Sequence, residues 1–248
     1  MMIDYSLIFG IGSAVTAVFV ILFALRIYQQ TKGATKGWYY LSLYGLVNGI
    51  LSFLLIVYAL LDSEISRFAY YLFHPLATFT IGLFVIKSVG YFLEDFGLDT
   101  RFNNRTMLQA VYPSILMILA LMALFKGINL YVVDALGMLT MGFGLLVASA
   151  SFYRLAKKTR KVEWVIIYFS SIIPAIAAIS LTYIGGCCHL DAPLAGQTIC
   201  ENTLRVVTPF PQYCSAAIAG AHGPLLMLLL LGLILSAIGY GLIYRKLH

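Results

Sequence analysis

Residues 225–243 read Leu225-Leu-Met-Leu-Leu-Leu-Leu-Gly-Leu-Ile-Leu-Ser-Ala-Ile-Gly-Tyr-Gly-Leu-Ile243, nineteen residues without a charge. A hydrocarbon core about 30 Å thick needs roughly 20 apolar residues in a helix to cross it. The run has no polar alternation, so a barrel strand does not fit. In lipid the backbone must satisfy its own polar groups, which leaves a helix.

The same signature recurs along the chain, and the sequence predicts seven spans at approximately 5–28, 38–61, 68–93, 107–125, 129–153, 162–185 and 223–244. The composition agrees. Of 248 residues, 61% are hydrophobic and 10% charged, against roughly 45–50% and about 25% in a soluble domain. Such a chain has too little polar surface to cover a water-soluble core, which excludes a soluble enzyme. The first span lacks a basic leader and is too long for a signal h-region, so it reads as retained. Residues 1–248 read as a single seven-helix membrane domain.

Orientation follows from loop lysines and arginines. One side carries twelve: Arg26, Lys32, Lys36, Arg101, Arg105, Arg154, Lys157, Lys158, Arg160, Lys161, Arg245 and Lys246. The other carries Arg67, Lys126 and Arg205. The N-terminus is therefore expected outside and the C-terminus in the cytoplasm, in the cell membrane. The formal charge of +6 belongs to insertion rather than to nucleic acid, because no aromatic interleaving or binding motif accompanies it. The cluster Arg154, Lys157, Lys158, Arg160 and Lys161 reads as a topology anchor, and otherwise as a contact for membrane lipid or a partner.

All four cysteines, Cys187, Cys188, Cys200 and Cys214, fall in the segment 186–222. Clustered cysteines in an oxidising compartment read as disulfides, so a disulfide-stapled outer loop is expected, with either pairing of the adjacent cysteines open. Adjacent thiols fit structural zinc poorly, since its ligands are usually spaced.

Ionisable residues in a span are costly and mark sites. Lys87 and Asp134 are the candidates, each otherwise interfacial. Gly45, Asn48 and Ser52, at i, i+3 and i+7, form a polar stripe that could line a path or pack helices. His74 and His222 are candidate ligands for a haem or metal near one surface. Pro75, Pro113 and Pro174 fall inside spans, where they kink helices. No catalytic motif appears: His-Glu-x-x-His, Gly-x-Ser-x-Gly and the P-loop are all missing. No motif requires a cofactor.

Seven spans and three local motifs resemble the microbial rhodopsins. Arg67-Phe-Ala-Tyr-Tyr-Leu-Phe-His-Pro75 is similar to that family's Arg-aromatic-Ala-Asp-Trp-Leu-Phe and later proline, with the proline one residue early. Pro174 matches a helix-six proline. Ser236-Ala-Ile-Gly-Tyr-Gly-Leu-Ile243 is similar to Ser-Ala-Lys followed by Gly-Phe-Gly-Leu-Ile, one residue shorter. The resemblance implies the bundle but no pigment. Ile238 stands at the retinal lysine, and Tyr70 and Ile234 at the carboxylates, so no Schiff base and no retinal are expected. The long cysteine segment also departs from that pattern.

The reading is thus a non-enzymatic protein acting by binding, as a structural or accessory subunit beside other membrane-protein subunits or as a receptor-like module. A channel or uncoupled transporter is the second class, and a haem- or metal-binding electron-transfer subunit the third.

Overall fold

A computed structural model describes residues 5–61, 63–98, 130–188 and 222–247. Six helices occupy them: α1 Tyr5–Gln30, α2 Lys36–Leu61, α3 Glu64–Asp95, α4 Leu130–Thr159, α5 Val162–Cys188 and α6 His222–Lys246. Each is long and apolar enough to cross a membrane.

Two expectations are corrected. The described residues hold six helices rather than seven, since the expected span 107–125, with Pro113, lies outside them. No disulfide staple is found among them either. The pair Gly185-Gly186, where the helix was expected to have ended, is absorbed into α5, so Cys187 and Cys188 belong to its last turn and not to a loop. Cys200 and Cys214 lie outside the described residues.

Local chemistry fixes the helix ends. Ser63 caps α3 with a reciprocal box, its Oγ accepting from the Ser66 amide at 3.2 Å while the Ser63 amide donates to Ser66 Oγ at 3.1 Å. At the other end Gly97 takes φ +61°, and the Leu98 amide donates to the Leu93 carbonyl at 2.8 Å. Glycine meets that left-handed geometry without a Cβ penalty. Lys158, from the last turn of α4, donates to the Phe96 carbonyl and ties α4 to this end of α3.

Helix n packs on helix n+1 throughout, and α6 returns to α1, so the described helices close into a ring. Neighbours run antiparallel at four contacts. Gly45 of α2 meets Val20 and Ile21 of α1, Trp38 of α2 meets Phe92 of α3, Phe152 of α4 meets Trp164 of α5, and Gly239 of α6 meets Ile167 of α5. Two contacts are parallel. On α3 and α4, Pro75 faces Gly137 and Phe92 faces Phe152; on α1 and α6, Gly12 faces Leu230 and Phe23 faces Tyr244. Asp95 and Leu130 therefore lie at opposite ends of the bundle.

Large apolar side chains lie on both sides of the helices. Phe92, Phe152 and Leu155 are fully buried beside the small residues Ser13, Ala148, Ala175, Ala177 and Ala178, while others such as Phe53, 63% exposed, face outward. Glycines permit the closest approaches. A Cβ on Gly137 would stand 2.5 Å from Thr78 Oγ1 and 3.0 Å from the Pro75 carbonyl oxygen, and one on Gly232 would stand 2.6 Å from the Pro174 ring. Pro75 and Pro174 are thus each a seat for a neighbouring helix's glycine.

Candidate functional site

The turn directions place Arg26, Lys32, Lys36, the Arg154–Lys161 turn, Arg245 and Lys246 at one end of the ring, hereafter the basic end. Just inside it, five helices contribute to one aromatic cluster. Trp38 of α2 packs edge-on against Phe92 of α3 at 4.9 Å between ring centroids and against Tyr240 of α6 at 5.6 Å. Trp164 of α5 lies 5.6 Å from Phe92 and 6.0 Å from Phe152 of α4. All five rings are buried. Tryptophans this close to a span end are ordinarily belt residues facing lipid, and here they turn inward to plug the bundle.

Beside the plug, Glu163 in the first turn of α5 is 1% exposed. Its Oε1 is paired with the Lys246 ammonium, whose side chain is 61% exposed, and its Oε2 has no hydrogen-bond partner. A carboxylate suits a helix N-terminus electrostatically. Reading for charged residues in mid-span overlooks it, because Glu163 is only one residue from the helix start.

The polar stripe is brought together with a residue that sequence reasoning passed over. Gly45, Asn48 and Ser52 are buried on the face of α2 that meets α1. Asn48 Nδ2 donates to Ser13 Oγ at 3.0 Å, and the Ser13 and Ser52 hydroxyls share a hydrogen bond at 2.8 Å. Ser52 Oγ also lies 2.7 Å from the Asn48 carbonyl. The signal was the spacing Gly10, Ser13, Ala17 on α1, small residues at i, i+3 and i+7 that answer the stripe on α2.

Other candidates stay apart. Lys87 is half-buried on α3 with its Nζ 5.7 Å from the Tyr40 ring centroid, towards the basic end. Asp134 lies on α4 near the opposite end, and its side chain is outside the described residues. His74 packs on Tyr70 at 5.1 Å between centroids on α3, whereas His222 opens α6, which is not a neighbour of α3 in the ring. Among the described residues no three His, Cys, Asp or Glu side chains gather as a metal site would require. Arg154, Lys157, Lys158, Arg160 and Lys161 are exposed around the tight turn into α5, and Lys158 is committed to the Phe96 carbonyl. Ile238 and Ile234 are 48% and 40% exposed, facing away from the interior, while Tyr70 is buried against Tyr58.

Fold and site together define a multi-pass α-helical membrane protein. Beyond that class, the chain matches no protein-family model, no curated protein and no solved structure.

Proposed function

We propose that this chain is a non-enzymatic protein of the cell membrane that acts by binding, as a structural or accessory subunit of a membrane assembly. The observation that carries this reading is the aromatic plug. Trp38, Phe92, Phe152, Trp164 and Tyr240 fill the bundle just inside the basic end, where a conducting path would have to emerge. The polar stripe supports the same reading, since Asn48 and Ser52 spend their hydrogen bonds on Ser13. What remains for partners is the outside: apolar helix faces and a basic rim. Kinship with the microbial rhodopsins is part of the proposal as a shared bundle without pigment, Ile238 holding the lysine's place.

The test is extraction of the tagged chain from its own membrane in mild detergent, with mass spectrometry of co-purifying chains and an absorption spectrum of the same sample. Other chains at fixed stoichiometry and no visible band are expected. Lone migration contradicts the subunit role, and a visible band would favour electron transfer instead.

A further inference from the structure

The turn from α4 into α5 gathers positive charge in excess of the carboxylates around it. Arg154, Lys157, Lys158, Arg160 and Lys161 fall within eight residues, and all are exposed. Three described carboxylates lie at this end of the ring. Glu163 is paired with Lys246, while Glu94 and Asp95 close α3, with Asp95 hydrogen-bonded to Thr35 on the α2 side. Setting both Glu94 and Asp95 against the five basic side chains still leaves three positive charges.

These charges also converge. The Arg160 amide donates to the Ala156 carbonyl at 2.8 Å, so the helical turn runs through Arg160 before its φ of +55° reverses the chain. Lys157 and Arg160 are then i, i+3 neighbours with Cβ atoms about 5–6 Å apart, and the Lys161 Cα lies about 3.8 Å from that of Arg160. Long flexible side chains close such gaps around one ligand. One turn deeper than Lys157, Tyr153 packs across the outer seam on Tyr168 of α5 at 5.7 Å, and Tyr168 on Phe169 at 5.0 Å. Tyr153 is 56% exposed and six residues from the end of α4, about 9 Å along the axis. The rings therefore floor the charged turn on the membrane side.

We infer that this corner binds a phospholipid whose headgroup carries two phosphates. Lys157, Arg160 and Lys161 hold the phosphates, and Tyr153 seats the start of an acyl chain. The charge excess suits a dianion, and basic pockets between spans are where such headgroups are recognised. An orientation signal needs charge alone, whereas here the charge is crowded at one turn above an aromatic floor. An acidic segment of another protein would meet the charge and leave the membrane-facing rings unused. The inference extends the proposed binding role to lipid, and co-purification of other chains remains a separate readout.

The test uses the full chain in mild detergent, titrated with cardiolipin, phosphatidylglycerol or phosphatidylcholine and read by native mass spectrometry. The wild type is expected to retain cardiolipin most and phosphatidylcholine least. K157Q/K161Q should weaken cardiolipin retention roughly thirtyfold, roughly fivefold for each charge, and K157R/K161R should keep it. K32Q/K36Q, which removes the same charge from the α1–α2 turn, should leave it within about twofold. Y153A keeps every charge and should cost roughly fivefold. All these positions except Lys32 and Lys36 lie on the α4–α5 corner, and their exposure leaves the thermal midpoint of the variants as a check on folding. Unchanged retention in K157Q/K161Q, equal loss in K32Q/K36Q or equal retention of phosphatidylcholine overturns the site. An acidic protein chain that co-purifies with the wild type and is lost in K157Q/K161Q, with no lipid retained, overturns it in favour of a protein partner.

Discussion

Gly137→Ala puts a methyl group where α3 and α4 touch, and the cost follows from the three atoms it would meet. Thr78 Oγ1 stands 2.5 Å from the new Cβ, and the Pro75 carbonyl oxygen and Cα stand 3.0 and 3.1 Å away. Thr78 could turn, but its hydroxyl lies 3.0 Å from the His74 carbonyl and 3.1 Å from that of Pro75, contacts worth about 1 kcal/mol. The Pro75 backbone cannot turn, so the helices must part by a few tenths of an ångström, an overpacking cost of about 1–3 kcal/mol. Alanine returns about 1 kcal/mol of helix propensity. The net is a loss of about 1–3 kcal/mol, or roughly 2–12 °C in Tm at about 2–4 °C per kcal/mol. Gly49→Ala is the control, since its Cβ meets only the Ala17 Cβ, at 3.5 Å, and should gain about 1 kcal/mol. Thermal unfolding in detergent, followed by Trp38 and Trp164 fluorescence, reads both. Equal melting of the two variants would refute the claim that α3 and α4 are in backbone contact at this glycine.

The remaining expectations use the same transition. Ser13→Ala removes the oxygen that serves both Asn48 and Ser52 and should cost about 1–2 kcal/mol, more than Ser52→Ala; equal costs would argue against Ser13 as the shared partner. Phe92→Ala opens the plug and should cost about 3–5 kcal/mol, with red-shifted tryptophan emission; unshifted emission would place both tryptophans elsewhere. Glu163→Gln should stay within about 1 kcal/mol of wild type because Lys246 is largely exposed. Lys246→Gln should cost more, about 2 kcal/mol, because it strands a buried carboxylate, and the reverse order would contradict the assignment.

The spans were legible because twenty apolar residues in a row have few other uses. The first expected at 5–28 runs Tyr5–Gln30, and that expected at 129–153 begins at Leu130 despite Asp134. Ends were less legible. Gly185-Gly186 reads as a break from local propensity, yet α5 continues through it to Cys188, so the cysteine segment was drawn too early and its staple is unsupported. Side of burial was the least legible property, since in lipid both faces of a helix are apolar and hydropathy cannot tell them apart. Trp38 and Trp164 could have faced lipid as readily as each other. The stripe Gly45, Asn48, Ser52 was visible as a pattern, but its partner Ser13 required pairing α1 with α2. Lys87 was visible as an isolated charge, and the Tyr40 and Tyr91 rings that define its surroundings come together only through the α2 and α3 packing.

The described helices form a ring that closes between the first and the last, α1 and α6. Gly12 of α1 faces the Leu230 side chain of α6, its added Cβ standing 2.8 Å from Leu230 Cδ2. In a background with the four native cysteines replaced by serine, Gly12→Cys combined with Leu230→Cys should cross-link within one chain under a short thiol reagent. Gly12→Cys with Gly137→Cys, on helices that are not neighbours in the ring, should not. Cross-linking of the second pair and not the first would contradict the closed ring.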